Sequence, residues 1–225
     1  MPTKEKQYKI LIDLRKKFGT TKLGLMSNAN WIDDPSRLAF CTSRYKFIAK
    51  MLSGKQEVLE VGSSDGFYSR IVNQHVKNLT IIDFDSLFIE DFRKFDVGKG
   101  KIKSFVHDIV KKPMKKKYDA TYSLDVLEHI KPRHEKKFII NSIKSLNKQG
   151  VFICGMPSLE SQKYASKESK LGHVNCKSGE QLRETLNKYF FNTFIFSMND
   201  EVVHTGYFPM SHYLFGIGCN PKKIS

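Results

Sequence analysis

A chain of 225 residues with 40% hydrophobic and 12% aromatic residues has enough apolar material to build a full α/β core, which excludes global disorder. No apolar run nears the roughly 18 residues that span a bilayer. The N-terminal stretch has no secretory apolar core, and the four cysteines (Cys41, Cys154, Cys176, Cys219) show no C-x-x-C spacing. The expectation is therefore a cytoplasmic protein with reduced thiols. A formal net charge of +15 admits an anionic partner, either nucleic acid or a phosphorylated small molecule. The 38 Lys and Arg residues are nonetheless scattered, and the densest run, 111–117, reads as a solvated loop between two strands.

In chain order, residues 1–52 read as a helical cap. A basic helix covers 4–18, and a polar Gly/Asn connection follows. A second helix over 35–52 opens with Asp34 as cap and Pro35 at its first position. The remainder, 53–225, reads as the core of one domain. Strand-like segments at 57–61, 79–84, 103–107, 119–124 and 150–156 alternate with helical patterns at 66–76, 87–95, 133–146 and 178–189. Such alternation predicts a parallel sheet with helices on both faces. The last two strand-like segments, 190–198 and 212–219, have no helical period between them and read as an antiparallel pair at the sheet edge.

The segment Val58-Leu59-Glu60-Val61-Gly62-Ser63-Ser64-Asp65-Gly66 reads as a buried strand, a tight turn and a helix start. Asp83 closes the next apolar strand, 21 residues after Gly62. Glycines let backbone approach a ligand, and a carboxylate about 20 residues on takes a ribose diol. A dinucleotide site would show G-x-G-x-x-G with a pyrophosphate on the helix N-terminus. Here the spacing is G-x-S-x-G, and Asp65 puts a negative charge in the turn, poorly placed beside a diphosphate.

These residues resemble the class I S-adenosylmethionine-dependent methyltransferases, over 56–219. The resemblance implies a Rossmann-like α/β fold: a seven-stranded, mostly parallel sheet of order 3-2-1-4-5-7-6 with an antiparallel last strand. It implies that Glu60, Gly62, Ser64 and Gly66 form the glycine-rich first motif. Asp83, with Phe84 beside it, would hold both ribose hydroxyls. Asp108 and Ile109 would face the adenine, and Leu124 would lie beside the transferred methyl. Arg44 and Tyr45, late in the second cap helix, are candidates to reach the cofactor carboxylate. Ser64 departs from the pattern, where a glycine is usual. Trp31 stays open between a roof for the site and an anchor for the cap.

Asp125, Glu128 and His129 are spaced i, i+3 and i+4, which on a helix would turn them to one point. His173 lies seven residues before Glu180. That layout resembles the metal-dependent ubiquinone-pathway O-methyltransferases and the small-RNA terminal ribose 2′-O-methyltransferases, which carry an acid-x-x-Glu-His motif after the fourth strand. The resemblance implies a divalent ion (Mg, Mn, Fe or Zn) held by Asp125, Glu128, His129 and His173, activating an acceptor oxygen. The plainer reading stays open, in which Glu128 favours a helix N-terminus and His129 bonds locally. In that case His129 or His173 could take the acceptor's proton. His204, among acids in 198–207, is a third catalytic candidate, set against an ordinary turn histidine.

The expected activity is O-methylation of a small, anionic or sugar-linked acceptor. A weaker resemblance links the chain to bacterial methyltransferases of surface polysaccharides, including capsule phosphoramidate groups. The alternatives are an RNA ribose 2′-O-methyltransferase and a cofactor-binding scaffold without catalysis.

Overall fold

Strands covered on both faces need consecutive apolar residues, and Val58, Leu59 and Val61, or Leu79, Ile81 and Ile82, supply them. The computed structural model describes residues 3–95 and 102–224. Three helices precede the sheet: α1 (Lys9–Phe18), α2 (Leu25–Asp33) and α3 (Ser36–Met51). Then come β1 (Glu57–Val61), α4 (Ser69–Asn73), β2 (Asn78–Asp83), α5 (Ser86–Phe95), β3 (Lys103–Val106) and β4 (Tyr118–Leu124). The second half holds α6 (Pro132–Lys144), β5 (Leu146–Pro157), α7 (Lys167–Gly172), α8 (Gly179–Asn187), β6 (Phe190–Asn199), β7 (Val202–His204) and β8 (Tyr213–Pro221).

The strands form one sheet in the order β3-β2-β1-β4-β5-β8-β6-β7. β1 through β5 pair in parallel, and β8 runs antiparallel to both β5 and β6. The expected order therefore stands, but there are eight strands instead of seven. The added strand is β7, a hairpin partner of β6 with Ser197 opposite His204. Asp200 turns this hairpin at φ 50, a conformation that Asp tolerates better than most residues.

Alternate residues of a strand face opposite sides, and two apolar clusters result. One packs Val58, Leu79, Tyr122 and Phe215 under Ile48 of α3 and Val72 of α4. The other packs Leu59, Ile82 and Phe152 under Phe138 and Ile139 of α6 and Leu182 of α8. Two expectations need correction. The helix expected over 66–76 shrinks to the five residues of α4, because the turn from Gly62 to Gly66 takes up its start. The polar connection expected before α3 contains α2. Among the described residues no helix is long and apolar enough to cross a membrane.

The order reverses between β1 and β4, and in sheets of this kind the crevice beyond the carboxyl ends at that reversal takes the ligand. Gly62, Asp83 and Asp125 stand at those ends.

Candidate functional site

The turn after β1 is shaped by left-handed backbone at Gly62 (φ 76), Ser64 (φ 49) and Gly66 (φ 65). A Cβ on Gly62 would sit 2.4 Å from Val126, so the turn needs glycine there for space as well as for conformation. Gly62 and Ser63 donate their amides to the Ile82 carbonyl at 2.8 and 3.1 Å. Ser64 donates its own to Asp83 Oδ2 at 3.0 Å, and Asp85 donates to Asp83 Oδ1 at 3.0 Å. The two motifs are thus tied together by backbone. Each Asp83 oxygen keeps a second lone pair, enough for the two hydroxyls of a ribose. Burial pushes the Asp83 carboxyl up, and the amides of Asp85 and Ser64 oppose that shift. Phe84, beside it, is 75% exposed and leaves a free aromatic face.

Glu60 lies beneath the turn, 1% exposed. Tyr45 donates its phenol to Oε1 at 2.7 Å and Tyr122 donates to Oε2 at 2.6 Å. Burial pushes its carboxyl up to about 7. Tyr45, expected near the cofactor carboxylate, is itself buried and turned onto Glu60. Asp108 accepts the Val110 amide at 2.9 Å and meets Lys111 at 3.5 Å, while Ile109 is a core residue, packed in the cluster with Phe138. Leu124 ends β4, buried.

Asp65 is corrected by the structure. Its carboxylate turns away from the crevice and accepts the Ser27 amide at 2.7 Å, the Ser27 hydroxyl at 3.2 Å and the Phe67 amide at 3.1 Å. It caps the first turn of α2.

After β4 the chain does not enter the expected helix. Asp125 has φ 56, and the following turn is a three-residue 3-10 segment, Leu127–His129. The i, i+3, i+4 argument therefore fails for Asp125, which belongs to another partnership. Arg44 Nη1 donates to both of its oxygens at 3.0 and 2.9 Å. The guanidinium also stacks 3.9 Å over the Tyr213 ring.

Glu128, His129 and His173 do converge, with one ligand atom of each within 4.8 Å of the others. The Glu128 carbonyl accepts the amides of Val174 and Asn175 at 2.8 and 3.0 Å, which pins the His173 loop against the turn. His129 Nδ1 meets the Gly172 carbonyl at 2.9 Å, and His173 Nδ1 meets Gln162 Oε1 at 2.7 Å. Each contact orients a ring so that Nε2 is left to ligate or to accept a proton. Burial, then His129, pulls His173 below the usual imidazole range, so it is neutral near pH 7. Glu128 is 0% exposed, and neither carboxylate oxygen has a hydrogen-bond partner. Burial, then the Asp125 charge, pushes its carboxyl well up.

Residues 59–154 match the family profile described as a methyltransferase domain. The fold is similar to that of the N-methyltransferase NodS from Bradyrhizobium japonicum WM9 bound to S-adenosyl-L-homocysteine, with TM-score 0.60 and 17% identity over 86% of this chain and 91% of that one. It is also similar to the methyltransferase domain of bacterial CtHen1, with TM-score 0.64 and 14% identity over 79% and 98%. The plantazolicin methyltransferase BpumL, also bound to S-adenosyl-L-homocysteine, gives TM-score 0.62 and 13% identity over 87% and 88%. No curated protein matches the sequence significantly. Residues 59–154 are a methyltransferase domain, and the chain around them has the fold of class I S-adenosylmethionine-dependent methyltransferases.

His204 is not brought to the crevice. Its Nε2 meets Asn199 Oδ1 at 2.9 Å and its Nδ1 accepts the Gly206 amide at 3.0 Å. β7 lies four ladders beyond β4, on the order of 19 Å at ~4.8 Å per strand. The turn-histidine reading is the one this geometry fits. Trp31 is 55% exposed and anchors no core. Sequence reading missed Tyr122 and Tyr213, both apparent only as core aromatics, and Gln162, whose role depends on a fold that brings it to His173.

Proposed function

We propose that this methyltransferase transfers its methyl group to an oxygen of a small, anionic or sugar-linked acceptor, next to a divalent cation held by Glu128, His129 and His173. The observation that carries this reading is the fully buried Glu128 carboxylate without a donor. An isolated buried carboxylate is costly unless it is protonated or meets a cation. Two imidazoles already oriented through their Nδ1 atoms complete a mixed N/O donor set of the borderline kind that Mn, Fe or Zn favour. Asp125, bound to Arg44, stands outside the set.

A bound cation would lower the pKa of an acceptor hydroxyl. The chain's own residues do the rest. Asp83 fixes the ribose and thereby the position of the sulfonium. The His173 loop, held by Glu128, closes the acceptor side. That loop carries Lys163, Lys167 and Lys170 against Glu160 and Glu168, Lys177 being paired with Glu135 at 2.7 Å, and the remaining excess of one positive charge favours an anionic acceptor. Precursors of bacterial surface polysaccharides, including phosphoramidate-bearing sugars, fit that chemistry. Four free cysteines fit work in the cytoplasm.

The test is calorimetric titration of Mn2+ into the protein saturated with S-adenosyl-L-homocysteine. Wild type should bind one ion per chain, and Glu128→Gln or His173→Ala should abolish that binding. No heat from wild type, together with turnover indifferent to chelators, would end the cation reading. The second reading, ribose 2′-O-methylation of RNA, is favoured by the charge of +15. Its mark would be affinity falling steeply with salt.

A further inference from the structure

Helix α2 is held to the body of the protein in an unusual way. Only Ser27 among its residues is buried, while Leu25, Met26, Trp31 and Ile32 are 47, 47, 55 and 75% exposed. Its N-cap is Gly24, which has no side chain to offer the first turn. Apolar burial therefore contributes little, and two carboxylates from the core replace the missing cap. Asp65 accepts the Ser27 amide and hydroxyl, and Asp91 of α5 accepts the Leu25 amide at 2.8 Å. Gly24 lets them come this close, since a Cβ there would lie 2.4 Å from that of Asp65.

The two carboxylates differ in where they are mounted. Asp91 sits on a regular helix. Asp65 sits in the cofactor turn, between Ser64 and Gly66, both in left-handed backbone, and directly after the amide that Ser64 gives to Asp83. Whatever orders that turn also aims the Asp65 carboxylate. A cavity of about 90 Å³ lies beside the contact, lined by Phe67, Phe92 and Phe95 among others.

We propose that Asp65 is a positioning residue that couples cofactor occupancy to the docking of α2. A cofactor seated on the turn fixes Ser64 and Asp65, and Asp65 fixes the first turn of α2. By linkage, a docked α2 tightens cofactor binding by the same factor. The inference rests on the cofactor site and stands apart from the cation at Glu128.

The test measures amide hydrogen exchange across residues 25–33 and calorimetric affinity for S-adenosyl-L-homocysteine in the full chain. In wild type the product should slow exchange of α2 about tenfold, within the usual range of coupling. Asp65→Asn, which keeps size and the acceptor for Phe67 but lacks the charge, should weaken product binding about tenfold and leave α2 exchange unresponsive. Ser27→Pro removes the amide donor of the third residue of α2, one of the first-turn amides that have no acceptor within the helix, and should reproduce both effects. The double variant should be no weaker than either single one, the mark of a shared interaction. Asp91→Asn loosens α2 from the other side, and there the product should still slow its exchange. Additive losses, a Ser27→Pro protein that binds product like wild type, or wild-type α2 exchange indifferent to product would each overturn the proposal.

Discussion

Asp83 shows how much one side chain has to do in this site. It accepts two backbone amides and is 6% exposed, yet it still faces the crevice with lone pairs to spare. Charge-assisted hydrogen bonds to two hydroxyls contribute about 3 kcal/mol together, which is about 100-fold in affinity. Asp83→Ala should therefore weaken S-adenosyl-L-homocysteine by roughly that factor in calorimetry, with the circular dichroism spectrum unchanged. Glu60 gives a pH signature. Its folded-state carboxyl, at about 7, lies above the ordinary 4.5, so the native state holds its proton longer than the unfolded chain does. Stability from this group is fully present below pH 4.5 and is lost as pH rises to 7, by at most about 3 kcal/mol. Glu60→Gln keeps an acceptor for one phenol and has no charge to bury. Its Tm advantage over wild type should grow from pH 4.5 to 7 and then level off, and an advantage independent of pH would refute the assignment. Glu128, also pushed up by burial, acts with the same sign.

At the scale of elements, the strand–turn–acid unit from Val58 to Asp83 was legible because its signals are local: an apolar run, small residues, then an acid ending the next strand. Gly62 carries the heaviest constraint in that unit. Gly62→Ala adds a Cβ at φ 76 that meets Val126 at 2.4 Å, and should cost roughly 2 kcal/mol or more in chemical denaturation. Adding Val126→Ala should recover the steric part and leave the backbone part. α2 was illegible for the opposite reason, since its caps are Asp65 and Asp91, 38 and 66 residues from the amides they receive. The turn after β4 misled in another way. Periodicity brought Asp125 onto a helical face, whereas a left-handed residue followed by a 3-10 segment turned it towards Arg44. Nothing in the spacing of Asp125, Glu128 and His129 distinguishes those two outcomes. The convergence of Glu128, His129 and His173 needed the fold to bring the 172–173 loop onto the turn, as in the contact of His129 with the Gly172 carbonyl, 43 residues away.

For the whole molecule, the alternation of strands and helices was enough for a parallel sheet with helices on both faces, its order followed from the family resemblance, and of the strands only the short β7 escaped, hidden in a polar stretch. The charge of +15 has no such structural reading, because the lysines are spread over surface loops and helices. If the acceptor is small, a single-stranded RNA oligonucleotide should bind weakly and lose affinity steeply with salt, while affinity for S-adenosyl-L-homocysteine stays level over the same range. An RNA that binds tightly at physiological salt and is methylated would transfer the account to the ribose reading. The account as a whole is tested most directly by the anomalous diffraction of a crystal soaked with S-adenosyl-L-homocysteine and Mn2+. It predicts the ribose on Asp83 and a single anomalous peak enclosed by Glu128, His129 and His173. A peak elsewhere, or none with the cofactor product in place and Glu128 bonded to a protein donor, would contradict it.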